Sequence, residues 1–231
     1  MIQRSAFLGA SLVLAAAATT AGASDAADIG LVETTSEFDV AAFARRVSRD
    51  ADIRQVWDAG KLNPKILGAV KNSLNGLQFG FGVAPDRIAT AFVAHNDSNV
   101  LLYSDAAWTA YRLGEVLGVH DPTGAVVTSN IFAPARSASG AQDPDDVHGF
   151  YQDPSITTLQ RRGVRFFVCN TALVQQAQQI VDSGVAPGQS AVDVARSLRH
   201  SLLPGAMLVP SGVATIAYLQ SRYRYSHLAE E

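Results

Sequence analysis

Two stretches, Ile88 to Val93 (IATAFV) and Val164 to Val168 (VRFFV), are apolar almost throughout, so each demands cover on both of its faces. Longer stretches with helical spacing separate them: Lys65 to Phe81, Asp105 to Leu117, and Thr171 to Asp182. Strands that are buried on both sides and alternate with helices imply an α/β fold built on a mostly parallel sheet. Further strands are expected at Ile53 to Trp57, at Met207 to Val209 and, as a last addition, at Tyr223 to His227. Helices are expected from Ser155 to Arg161, Ser190 to Leu203 and Val213 to Ser221, with an earlier short one carrying Phe38 to Val47 behind Ser36 as its cap. No internal repeat interrupts this rhythm. The chain has 231 residues, 48% of them apolar, which is enough for one large domain with a substantial core.

Residues 120–150 depart from the pattern. Asp121-Pro122, Gly124, Pro134, Ser137 to Gly140 and Pro144 mark a long irregular insertion, the kind of segment that serves as a lid or binding surface. At the other end, Arg4 precedes an apolar run from Phe7 to Ala18 and small residues ending at Ala23. That is the layout of a secretory signal peptide (1–23), cleaved after Ala23. The run is well short of the ~20 residues that span a bilayer, so no stable membrane span is expected after processing. Residues 24–36 are polar and read as a disordered lead-in, with the folded domain at 37–231. The mature protein is expected in the periplasm or secreted. Charged residues make up 17% and the net charge is −3, which argues against a nucleic-acid partner.

An exported chain with a single cysteine, Cys169, has no internal disulfide to make. The thiol is therefore inert in the core, reactive, or paired with another molecule. Ligands of open parallel sheets gather outside the carboxyl ends of the strands, and Cys169 and His95 each close a strand. Asn170 and Thr171 follow the cysteine as cap-like residues, placing the sulfur by a helix start, where partial positive charge favours thiolate. Phe166, Phe167 and Val168 beside it fit a core thiol equally well. After His95 comes a polar loop that begins with Asn96, and Asp105 opens the next helix beside Trp108, a packing residue. Ser211 and Gly212 join a strand to a helix and either hold an anion on backbone N–H groups or only turn the chain.

Several chemistries lack their signatures. His120, His148, His200 and His227 are scattered without metal-ligand spacing, so no metal is expected. There is no C-x-x-C pair, no G-x-S-x-G elbow and no phosphatase arginine after Cys169, and Gly80-Phe81-Gly82 precedes a strand instead of following one. No cofactor is expected.

Gly163 to Ala172 (GVRFFVCNTA), Leu203 to Val213 (LPGAMLVPSGV) and Leu219-Gln220 ahead of Tyr223 and Tyr225 together resemble the DsrE/DsrF-like family, in its exported branch. Weaker matches are Val56-Trp57-Asp58, Asn72 to Asn75, His95, Asp105 with Trp108, and Asp121 to Gly124, so the likeness runs from about residue 53 to the carboxyl end. The resemblance implies a three-layer α/β/α, Rossmann-like domain, a homo-oligomer, and a cysteine that carries sulfur as a persulfide in sulfur relay. Carried over by position, Cys169 is that thiol and His95 its rim neighbour. Read from the residues themselves, Asn96, Asp105, Asn170, Thr171, Ser211 and Gly212 are the candidate ligand contacts. The expected partner is a sulfur donor or acceptor; the alternative is a small molecule held without reaction, or an assembly role.

Overall fold

The strand β2 (Ile88–Ala94) is buried at every residue, and the rest of the domain is arranged to cover it. The computed structural model describes residues 37–134 and 153–230. The expected signal peptide, the lead-in, the Ser36 cap, His148 and most of the second half of the insertion lie outside these residues. Five strands form one parallel sheet in the order β4-β3-β2-β1-β5, where β1 is Ile53–Ala59, β3 Arg165–Cys169, β4 Met207–Val209 and β5 Ser226–Ala229. This is a single-domain, three-layer α/β/α fold.

One layer contains α1 (Val40–Val47) and α8 (Gly212–Tyr223). Their Phe43, Val47, Ile216 and Leu219 pack on Val56, Ala89, Ala91, Val93 and Phe167. The other layer holds α2 (Lys65–Asn75), α3 (Asp105–Ala110), α4 (Leu113–Val116), α5 (Ile156–Arg161), α6 (Asn170–Asp182) and α7 (Ala191–His200). It covers Trp57, Phe92, Ala94, Phe166 and Val168, the alternate residues of the same strands. Successive strands β1 to β4 step in one direction, and α8 then carries the chain back across the opposite face to place β5 on the free side of β1.

Local chemistry accounts for the boundaries. Asp39, not Ser36, caps α1, its Oδ1 accepting from Ala42 N at 2.7 Å. Ser155, Ser190 and Ser211 cap α5, α7 and α8 in the same way. The stretch from Lys65 ends its α-helix at Asn75 and closes with a π-turn at Gly76–Gly80. The single helix expected from Asp105 to Leu117 is instead two, because Arg112 takes φ +46° between them. Gly114 in α4 lies so close to Val127 that a methyl group there would be 1.8 Å from its carbonyl oxygen, and the break sets that approach. The last strand also shifts: α8 continues to Tyr223, Arg224 turns at φ +59°, and β5 starts only at Ser226.

Tyr225 locks that turn. Its hydroxyl donates to Val47 O at 3.0 Å, and burial raises its pKa to about 12. The fold favours the neutral phenol, so this contribution is complete below the unfolded tyrosine value of about 10 and is lost as pH rises through about 12. In an alkaline titration, unfolding by circular dichroism should accompany a late rise in tyrosinate absorbance. Tyr225→Phe should remove that step, at a cost of about 1 kcal/mol at neutral pH for the lost hydrogen bond.

Candidate functional site at the carboxyl rim of the sheet

The register of β2 and β3 pairs Ala94 with Val168, so the next residues along each strand, His95 and Cys169, are lateral neighbours. Both follow the alternation of Val93 and Phe167 and therefore face the α8 layer. Asp58, two residues after Val56 on β1, faces the same way, as does His227, which pairs with Val56 across β5. Four adjacent strands thus bring a thiol, two imidazoles and a carboxylate to one face of the sheet, toward its carboxyl rim.

Cys169 is the N-cap residue of α6, a helix of 13 residues, and its Sγ accepts from Ala172 N at 3.4 Å. Asn99 grips the cysteine backbone from both sides: Cys169 N donates to Asn99 Oδ1 at 3.1 Å and Asn99 Nδ2 donates to Cys169 O at 2.8 Å. Asn99 comes from the 3-10 turn Asn96–Leu102 that follows His95, so the two strand ends are joined by a buried amide. Tyr103, just beyond that turn, donates to Gln176 Oε1 at 2.7 Å, and Gln176 Nε2 donates to Asn96 O at 2.9 Å. Burial pushes the Tyr103 phenol strongly up, holding it as a neutral donor.

The thiol lies beside the helix start, as the sequence implies, but it is only 4% exposed. The first turn of α8 covers it. A methyl at Gly212 would fall 2.6 Å from His95 Cβ and 3.3 Å from Cys169 Cβ, so only glycine permits this approach. Thr171 secures the same cover, its hydroxyl donating to Pro210 O at 3.2 Å.

The His95 ring turns away from the thiol and toward β1, where its Nε2 is 2.6 Å from Asp58 Oδ1. Gly60 makes room for it, since a methyl there would meet His95 Cε1 at 2.8 Å. The other carboxylate oxygen, Oδ2, is 3.0 Å from His227 Nε2. Side-chain exposure rises from 11% at His95 through 27% at Asp58 to 40% at His227, so the cluster runs from the buried rim to solvent. Among the described residues no set of three or more ligating side chains is arranged to hold a metal ion. No helix among them is long and apolar enough to cross a membrane.

The remaining candidates divide. Asn96 is exposed at φ +50°, a conformation asparagine tolerates well, and Ser211 caps α8 through Ala214 N. Asn170 is fully buried, its Oδ1 accepting from Arg199 Nη2 at 2.8 Å, which ties α6 to α7. Asp105 serves the insertion: it accepts from Asn130 N at 2.7 Å, while Asn130 Nδ2 donates to Leu101 O and Tyr103 O. Trp108 is packing, fully buried and donating to Val100 O. Sequence reasoning missed three members, Asn99, Asp58 and His227. Asp58 lies one residue beyond the strand end that the sequence predicts, and the spacing of the histidines does not set His227 apart from the others.

A separate cavity of about 630 Å3 opens on the other layer, between Leu62, Leu67, Val119, His120, Ile131 and Phe132. No family model and no curated protein matches the chain. Among solved structures, a protein of unknown function from Methanobacterium thermoautotrophicum is similar over 78% of this chain and 100% of its own, at 16% identity and a TM-score of 0.40.

Gly212→Ala should force α8 off the rim. A loss of about 1–3 kcal/mol in stability is expected from the overpacking, together with faster alkylation of Cys169. Denaturant unfolding and timed iodoacetamide labelling measure the two effects on the same protein.

Proposed function

We propose that this chain is a thiol-based sulfur-handling protein, exported and related to the DsrE/DsrF-like family, with Cys169 as the sulfur-carrying atom. The observation that carries this reading is the two-sided grip of Asn99 on the cysteine backbone, which holds the thiol as the cap of α6. A core cysteine kept for volume alone needs no such placement. In the step envisaged, the Cys169 thiolate attacks the outer sulfur of thiosulfate or a polysulfide. The donor S–S bond breaks, a bond forms between Sγ and the transferred sulfur, and sulfite or the shortened polysulfide leaves with the electron pair. Since α8 covers the sulfur, its first turn has to lift for the donor to enter.

The cavity beside Val119 and Phe132 favours a second reading, in which a small molecule is held without reaction. Binding of an apolar dye that persists unchanged in Cys169→Ser is its signature.

Purified mature protein treated with thiosulfate or polysulfide should gain sulfur at Cys169, detected by mass, and the native protein should be alkylated at that residue to completion, though more slowly than a free peptide thiol. Labelling that appears only after denaturation, with no sulfur gained, would overturn the sulfur reading.

A further inference from the structure

The carboxylate of Asp58 has both oxygens engaged by imidazole Nε2 atoms, one from β2 and one from β5. An ionised carboxylate only accepts hydrogen bonds, so each of these nitrogens must carry its proton. A neutral histidine held that way has its lone pair on Nδ1. The sharing is built into the sheet. Asp58 lies on the one strand that has β2 on one side and β5 on the other, and each neighbour contributes its imidazole from the same face. Gly60 leaves the space into which the His95 ring turns, and Gly212 presses on its Cβ and Cγ from above, so the ring has one orientation available.

We infer that Asp58 is the positioning residue of the rim: shared between two imidazoles, it fixes His95 as the Nε2–H tautomer, and His227 holds the carboxylate in place from the last strand. The remaining lone pair, on Nδ1 of His95, meets the backbone N–H of Ser98 in the capping box of the 3-10 turn, so both ring nitrogens are held. His227, at the solvent end, makes β5 a part of the site, although in sequence it lies 58 positions from Cys169. A surface histidine on an edge strand that served only the fold would have no effect on the tautomer of a buried one.

The lock does not rest on the sulfur-handling reading. On 15N-labelled mature protein at a pH near 8.5, well above the usual imidazole value of about 6.5, long-range proton–nitrogen correlation reports each tautomer directly. The unaltered chain should show His95 and His227 both as Nε2–H. Asp58→Asn, which offers one acceptor in place of two, should release His95 into mixed tautomers. His227→Gln, whose amide N–H replaces the lost donor, should keep the His95 signature; His227→Ala should lose it. An Asp58→Asn protein in which His95 stays wholly Nε2–H overturns the inference, and so does a His227→Ala protein identical to the unaltered chain. If Asp58→Asn fails to fold, the alanine and glutamine variants at His227 test the same carboxylate from its other side. Should no protein take up sulfur while the tautomers behave as described, the sulfur reading falls and the positioning role stands.

Discussion

A strand buried on both faces has nowhere to display polar chemistry except at its ends, and β2 is such a strand over its whole length. That constraint organises the molecule. Every side chain of β2 from Ile88 to Ala94 is committed to one packed layer or the other, apart from Thr90, which accepts from Gln55 within the sheet at 2.9 Å. The first residue free of that duty is His95. In the parallel register Cys169 reaches the same height as His95, while Asp58 pairs with Val93 two residues earlier and the His95 ring reaches back to meet it.

The same alternation that decides the layers decides who shares the rim face. Cys169, His95, Asp58 and His227 follow Phe167, Val93 and Val56 in facing α8, so the helix that brings the chain back across the sheet also becomes the cover of the site. Close approach is possible because Gly212 has no side chain, and the cap made by Ser211 sets where that helix begins. Packing and chemistry are thus adjusted by one element. A helix pressed this tightly on a thiol protects it from solvent, and any chemistry there depends on the free energy of lifting one turn.

Much of this was legible in the residues. The doubly apolar runs fixed which strands are central, and their final residues named Cys169 and His95 correctly as rim positions. Strand order was not legible, because register and neighbour choice are long-range properties, so the sequence alone does not put those two residues side by side. Asp58 was hidden by a boundary: strand propensity falls at an aspartate, yet pairing with Val93 and Ala229 carries β1 through it to Ala59. His227 was hidden by the end of α8, where no glycine or proline announces the stop and Arg224 supplies the left-handed turn instead. Asn99 was legible only as part of a polar loop, since the backbone it grips lies 70 positions away.

These hidden residues share a physical trait, which explains why patterning overlooked them. Each acts by hydrogen bonds that join separate strands: Asn99 links the end of β2 to β3, while Asp58 links β1 to both β2 and β5. Hydrophobic periodicity records burial, and burial is a local property of each segment. A buried amide or a carboxylate between two imidazoles is stable only when all its partners are present, because an unmatched polar group in that setting costs about 1–3 kcal/mol. The rim is consequently an all-or-none construction. Loosening any one of β1, β2 or β5 leaves a donor or acceptor unmatched on another, and this interdependence is what holds the His95 ring toward Asp58 instead of toward the sulfur beside it.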